Sequence, residues 1–260
     1  MSGRVAVLMG GWSAERQVSL VSGAAVCAAL ESAGYAVTAI DVQRDMSSLL
    51  PRLSPRPDVV FNALHGRYGE DGCIQGLLNI LEIPYTHSGL LASALAMDKP
   101  MAKRLFAEVG IPVAEHQIVA REALEAGHVM TPPYVIKPLN EGSSVGIRIV
   151  REGERCASFA GTAWSCGGAV MVERFISGRE LTVAVMGDRA LAVTEITTTR
   201  GFYDYDAKYA PGGSRHVVPA EIDAALYSEC LRLAVAAHRT LGCRGVSRAD
   251  LRYDGTALYI

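Results

Sequence analysis

The sequence contains no apolar run near the length that crosses a membrane. Met1-Ser2-Gly3-Arg4 passes directly into a strand-like segment, without the apolar region of a signal peptide. A membrane is therefore not expected as a partner, and a cytoplasmic location is. Neither sign of charge is in excess, with 25 Lys plus Arg against 27 Asp plus Glu. That balance argues against nucleic acid or an anionic lipid surface as the main partner. Six cysteines stand at 27, 73, 156, 166, 230 and 243, without metal-ligand spacing. A chain of 260 residues does not need them as a disulfide framework, and they are expected to be reduced, mostly buried thiols. Gly10-Gly11 resembles a dinucleotide turn, but G-x-G-x-x-G is absent, which argues against a nicotinamide site.

What is present is the composition of a folded α/β protein, 50% hydrophobic and 20% charged, with room for two or three compact units. Residues 4–9, 35–41 and 58–64 read as strands with helical segments between them. Val18, Val21, Ala25 and Leu30 fall near helical spacing before Gly34 ends that helix. This order predicts a parallel sheet with helices on both faces. Ligands gather at the carboxyl ends of such strands, where residues 10–16 and 65–72 stand.

A second unit starts near Met97. Asp98 is placed to cap a helix with Pro100 in its first turn, and Met101, Leu105, Phe106 and Val109 form its expected buried stripe. Strand-like residues 117–120, a hairpin around 134–150 and residues 169–173 complete this unit. Beyond Gly178 the pattern turns antiparallel, with 181–186 and 191–197 flanking Gly187-Asp188. Residues 198–219 form a polar stretch long enough to suggest a functional lid. A helix over 223–241 and strands over 246–253 and 256–260 follow. The expected division is 1–95, 96–178 and 179–260. Nothing follows Ile260 to cover the last apolar strand, so the natural protein is expected to continue.

Residues 134–146 carry the most chemistry. An apolar strand ends in Lys137, and a loop then offers Gly142, Ser143, Ser144 and Gly146. Glycine lets backbone N–H groups curve around an anion, so the loop suits phosphate oxygens with Lys137 as a point charge. Taken alone, it also fits a glycine-rich hairpin with an exposed lysine. It is not a Walker A loop, because the lysine precedes the glycines and a strand follows. Residues 170–176 read as a strand running into a linker that could hold an adenine edge. Glu180 suits paired ribose hydroxyls, and Lys99, Lys137 and Lys208 suit phosphates. Each of these is also compatible with an ordinary surface charge. Arg248 and Asp250 alternate on one strand and share a face. They predict either a buried ion pair or a guanidinium for phosphoryl transfer beside a carboxylate for Mg²⁺.

Taken together, Gly-Gly-x-Ser-Ala-Glu-Arg at 10–16, His65-Gly66, Gly69-Glu70-Asp71-Gly72, Met97-Asp98-Lys99 and Ile136-Lys137-Pro138 form an ordered set. Glu141 to Gly146, Phe202-Tyr203-Asp204-Tyr205, Ala207-Lys208-Tyr209 and Arg248-x-Asp250 continue it. The set resembles the D-alanine–D-alanine ligases, ATP-grasp enzymes of bacterial peptidoglycan synthesis, from Val5 to Ile260. The resemblance implies an α/β fold, α+β in its C-terminal part: an ATP-grasp unit behind an N-terminal parallel α/β preATP-grasp domain. It implies D-alanine and ATP as substrates, Mg²⁺ or Mn²⁺ as cofactor, and a cytoplasmic homodimer. ATP would meet Lys99, Lys137, Ser144, Glu173, Ile176, Glu180, Phe202 and Lys208. The first D-alanine would meet Glu15, Val18, His65, Tyr209 and Arg248. Glu15, Ser143, Tyr209 and Arg248 would be catalytic, the first three as a hydrogen-bonded trio, and Asp250 would bind metal. The family's Glu-x-Asn metal pair follows the last strand and does not occur in this sequence, so impaired activity is expected of residues 1–260. Two other readings stand beside the ligase: a D-alanine–D-lactate ligase, disfavoured by Tyr209, and a catalytically silent nucleotide-binding protein of the same fold.

Overall fold

A computed structural model of the protein describes residues 3–143, 146–154, 168–198 and 213–260. They fall into two compact units, Met1–Met97 and Asp98–Ile260.

The first unit is built on three parallel strands, β1 (Arg4–Gly10), β2 (Ala36–Val42) and β3 (Val59–Asn62), in the order β2-β1-β3. β1 is central and buried on both faces, as its continuous apolar run requires. Alternate residues divide between two cores. Ala6 and Leu8 pack with Ile40, Val60, Ile74 and Leu78, the last two from α3 (Cys73–Ile80). Val5, Val7 and Met9 pack with Leu20, Val26 and Leu30 of α1 (Arg16–Ser32). This unit also holds α2 (Met46–Leu49), a 3-10 helix (Leu50–Leu53) and α4 (Leu90–Met97).

The contact face of α1 is not the one that apolar spacing suggests. Val21 is 73% exposed and Ala25 is also exposed, whereas Ser19 and Gly23 are buried. A Cβ at Gly23 would lie 2.5 Å from Met9 Cβ, so the helix approaches β1 where only glycine fits. Ser19 Oγ accepts from the Gly10 N–H at 2.9 Å and donates to the Ala63 carbonyl at 2.6 Å. A hydroxyl therefore joins the ends of two strands to the helix, at positions a hydrophobicity pattern passes over.

The second unit holds two antiparallel sheets. One has the order β4-β7-β5-β6, from β4 (His116–Ala120), β5 (Tyr134–Pro138), β6 (Arg148–Val150) and β7 (Ala169–Arg174). The other has the order β10-β9-β8-β11-β12, from β8 (Arg179–Met186), β9 (Arg189–Thr197), β10 (Arg215–Val217), β11 (Val246–Tyr253) and β12 (Leu258–Tyr259). We propose a subdomain boundary near residue 178, because β7 ends one sheet's share of the chain and β8 opens the other's.

α5 (Lys99–Glu108) starts as expected, with Asp98 accepting from the Met101 N–H at 3.0 Å and Pro100 in the first turn. Its buried face differs: Ala102, Lys103 and Phe106 are buried, while Met101 and Val109 are 41% and 57% exposed. α6 (Arg121–Glu125) follows β4 and buries Leu124. α7 (Ala224–Thr240), capped by Asp223, packs Cys230, Leu233, Ala234 and Ala237 toward β8, β9 and β11. Of the described cysteines Cys230 alone is buried, and burial pushes its thiol up to about 11. Cys73 is exposed and Cys27 and Cys243 are half-buried, which corrects the expectation of mostly buried thiols. No helix among the described residues is long and apolar enough to cross a membrane.

Candidate active site

In the first unit the site lies at the carboxyl ends of β1 and β3. The chain leaves β1 through Gly10 and Gly11, both at positive φ, and enters α1 after Glu15. Ser13 Oγ donates to the His65 carbonyl at 2.7 Å and accepts from the Glu15 N–H at 3.2 Å, so one hydroxyl joins the two loops. Glu15 is 6% exposed. A Cβ at Gly66 would fall 2.6 Å from Glu15 Oε2, so the carboxylate rests against a backbone position that only glycine leaves open. His65 Nε2 lies 3.2 Å from Ser22 Oγ, and its Nδ1 lies 3.7 Å from Glu70 Oε1. Val18 is half-buried on α1. A buried carboxylate favours a cationic partner such as an ammonium group. Sequence reasoning left Arg16 without a role. Its guanidinium grips Asp41 through two 2.8 Å bonds and the Gly11 carbonyl at 2.9 Å, fixing the loop against β2. The hydrogen bond and charge of Arg16 hold the Asp41 carboxyl below its usual range.

In the second unit Lys137 is indeed at the end of β5, but it is not a lone surface charge. Its Nζ lies 2.6 Å from Glu173 Oε1 on β7, and Lys103 Nζ of α5 lies 2.5 Å from Glu173 Oε2. Burial pushes the Glu173 carboxyl up, but Lys137 and Lys103 outweigh it and hold it below the usual carboxylate range. Burial lowers the Lys103 ammonium, and Glu173 opposes that only in part. Lys99 Nζ donates to the Glu141 carbonyl at 2.6 Å, and the Lys99 N–H donates to the Leu139 carbonyl at 3.2 Å. The start of α5 is thus tied to the glycine loop. Within that loop Ser143 adopts φ +54°, and its Oγ is buried with no hydrogen-bond partner among the described residues. A buried hydroxyl without a partner costs free energy that a ligand oxygen can restore.

Glu180 is not solitary either. Its Oε2 accepts from Arg252 Nη1 at 2.8 Å, and Arg252 also donates to the Ile176 carbonyl at 2.9 and 3.1 Å. Arg248 and Asp250 do form the expected pair, at 2.9 and 3.0 Å, but with side chains 61% and 54% exposed. The pair is open to solvent, not buried. Thr182 Oγ1 donates to Asp250 Oδ1 at 2.8 Å. Among the described residues no three His, Cys, Asp or Glu side chains gather to hold a metal ion. Ser144, Phe202, Lys208 and Tyr209 lie outside the described residues.

Lys103 and Arg252 are the residues that sequence reasoning missed. Arg252 shares its strand face with Arg248 and Asp250, and the same alternation would have found it. Lys103 falls beside Ala102 and Phe106 on the buried stripe of α5, where a lysine must have a partner.

The sequence matches the family model described as D-ala D-ala ligase N-terminus over residues 4–52 and 46–88. It matches the model described as D-ala D-ala ligase C-terminus over residues 105–259. It is 60% identical over 261 residues to the D-alanine–D-alanine ligase of Rhodospirillum rubrum, covering 100% of this chain and 86% of that one. Identity to the ligase of Paramagnetospirillum magneticum is 61% over 258 residues, 98% of this chain and 84% of that one. The structure superposes on the Bacillus anthracis D-alanine–D-alanine ligase complexed with ATP with a TM-score of 0.81 at 30% identity, covering 100% and 84%. The VanG D-Ala:D-Ser ligase of Enterococcus faecalis gives 0.74 at 29% identity, covering 98% and 87%.

Proposed function

The chain belongs to the D-alanine–D-alanine ligase family, and from that premise we propose how its own residues carry the reaction. The enzyme is an ATP-dependent ligase of the ATP-grasp fold that joins two D-alanine molecules into D-alanyl-D-alanine for peptidoglycan synthesis. We assign the phosphates of ATP to Lys99, Lys137, Ser144 and Lys208, and adenine to Glu173, Ile176 and Phe202. The ribose goes to Glu180. One observation carries this assignment. Two ammonium groups and one carboxylate meet where Lys103 is 7% exposed, one positive charge in excess among these described groups, and the loop that follows Lys137 carries the buried Ser143 hydroxyl with no partner among the described residues. Phosphate oxygens supply what both lack.

The ammonium group of the first D-alanine is assigned to Glu15, with Val18 and His65 beside it. Its carboxylate attacks the γ-phosphorus, ADP leaves, and an acylphosphate results. The amine of the second D-alanine attacks that carbonyl, and the tetrahedral intermediate loses a proton and expels phosphate. Arg248 stabilises charge on the transferring phosphoryl group and on the oxyanion. Its present partner, Asp250, is a half-exposed carboxylate within reach of solvent, which suits a shared ligand of Mg²⁺ or Mn²⁺ completed by phosphate oxygens. Such an ion would neutralise β- and γ-oxygens. Glu15 and Ser143 belong to different units, and we propose that Tyr209 joins them in a hydrogen-bonded trio. A lid over residues 198–219 would protect the acylphosphate from water. We further propose a cytoplasmic homodimer, supported by the exposed apolar side chains of Ile80, Leu90 and Leu91 on α3 and α4.

The test is ADP release by the purified enzyme with D-alanine, with D-alanine plus D-lactate, or with neither. Release that needs D-alanine and yields only the dipeptide supports the reading. A depsipeptide product points to the lactate ligase, and nucleotide binding without ADP release points to the silent protein.

A further inference from the structure

Glu173 raises a question that the ligase reading leaves open. Its carboxylate is shared between Lys137 and Lys103, and the three side chains are only 13%, 20% and 8% exposed. Lys137 stands where β5 gives way to the glycine loop, so it can turn toward a phosphate. Lys103 stands in the middle of α5 with its charge enclosed. If Lys137 alone neutralised Glu173, turning away would strand a desolvated carboxylate, and such a group takes up a proton instead of remaining charged.

We propose that Lys103 is a positioning residue that keeps Glu173 ionised and fixed, so that Lys137 passes from Glu173 to the nucleotide phosphates with no change of protonation. The inference rests on the assignment of Lys137 to the phosphates. Charge is balanced at each stage. Before binding, the three groups carry one positive charge in excess. After Lys137 engages phosphate, the remaining Lys103–Glu173 pair is neutral. Among the described residues Lys103 on α5 and Lys137 on β5 reach Glu173, and His116 stands opposite it on β4. His116 is its direct cross-strand partner, with Nδ1 3.2 Å from the Ala114 carbonyl. Lys99, at the start of α5, is engaged with the Glu141 carbonyl. The depression of the Glu173 carboxyl agrees with this geometry, since its two cations outweigh burial.

The experiment is calorimetric titration of the enzyme with Mg²⁺-ADP in buffers of different ionisation enthalpy, across pH 6 to 9. The wild-type enzyme and Lys103→Met are compared, with Lys103→Arg, Lys103→Met/Glu173→Gln and Lys137→Ala beside them. The nucleotide's own protonation is common to all and cancels in the comparison. Lys103→Met is expected to take up close to one proton more than wild type per ADP bound. Its affinity relative to wild type should then fall by about tenfold per pH unit over the range in which that proton is bound. Lys103→Arg should restore the wild-type count, and Glu173→Gln in the Met background should abolish the extra proton. A loss of affinity that is independent of pH, with no added proton, overturns the proposal, because a packing defect gives that result. If Lys103→Met does not fold, ¹³C NMR of the Glu173 carboxyl in the wild-type ADP complex decides. A protonated carboxyl at pH 7 overturns the proposal, and an ionised one supports it. Unchanged affinity in Lys137→Ala instead defeats the phosphate assignment itself, whatever Lys103 does.

Discussion

At the scale of single residues, charge is placed where it must be compensated. Arg248 is assigned to the transition state, so Arg248→Ala should lower kcat by about 10²–10³-fold with a smaller effect on substrate binding. Arg248→Lys should also be poor, because it lacks the planar fork. Steady-state kinetics check both, and a defect confined to KM would reduce Arg248 to ground-state binding. Glu173 gives a pH dependence. Its folded carboxyl lies below the ordinary value of 4.5, so its contribution to stability is present above that value and is lost as pH falls through the depressed one. Acid melts should show wild type losing stability below about pH 4.5 and Glu173→Gln much less sensitive there. At pH 7 that variant should be less stable by about 3–5 kcal/mol, since it leaves two enclosed ammonium groups on a neutral amide. The individual groups were legible in the sequence as types: Lys137, Glu173, Arg248 and Asp250 each carry chemistry. Their partners were not, because Lys103, Lys137 and Glu173 come from three separate elements whose packing no local pattern states. Likewise Arg248 and Asp250 were read as enclosed because strand alternation gives the shared face and not what covers it.

At the scale of elements, caps and small residues fix where helices begin and how closely they pack. Asp223 accepts from the Leu226 N–H at 2.8 Å at the start of α7, so Asp223→Ala should cost about 1 kcal/mol in denaturant melts. Gly23 is the tighter constraint. Gly23→Val should cost about 1–3 kcal/mol or more, because its side chain meets Met9 at the contact between α1 and β1. Val21→Ala, on the exposed side of the same helix, should change stability by less than about 0.5 kcal/mol. Equal effects of the two would mean that α1 turns its apolar spacing inward after all. The strands other than β10 and the helices α1, α5 and α7 were legible, because strand runs, the Asp98 and Asp223 caps and the Gly187-Asp188 turn are local signals, whereas α3, α4 and α6 were not singled out and β10 falls in the stretch expected to be a lid. The inward face of α1 was not. It is made by Ser19 and Gly23, whose fitness for it comes from closeness to Met9 and not from hydrophobicity.

At the scale of the whole molecule, two units of different construction bring different chemistry. The parallel sheet offers a buried carboxylate at its strand ends, and the antiparallel sheets offer lysines around a glycine loop. The ordered motifs made the family legible from sequence, because loops at strand ends carry residues whose types are dictated by what they bind. The measurement that tests the central claim most directly is the stoichiometry of turnover with ATP, Mg²⁺ and D-alanine, following ADP, phosphate and peptide together. One ADP and one phosphate should appear for each D-alanyl-D-alanine, with no ADP released when D-alanine is left out, and Glu15→Gln should raise the D-alanine requirement. ADP release that proceeds equally without D-alanine, or D-alanine consumption with no dipeptide formed, would contradict it.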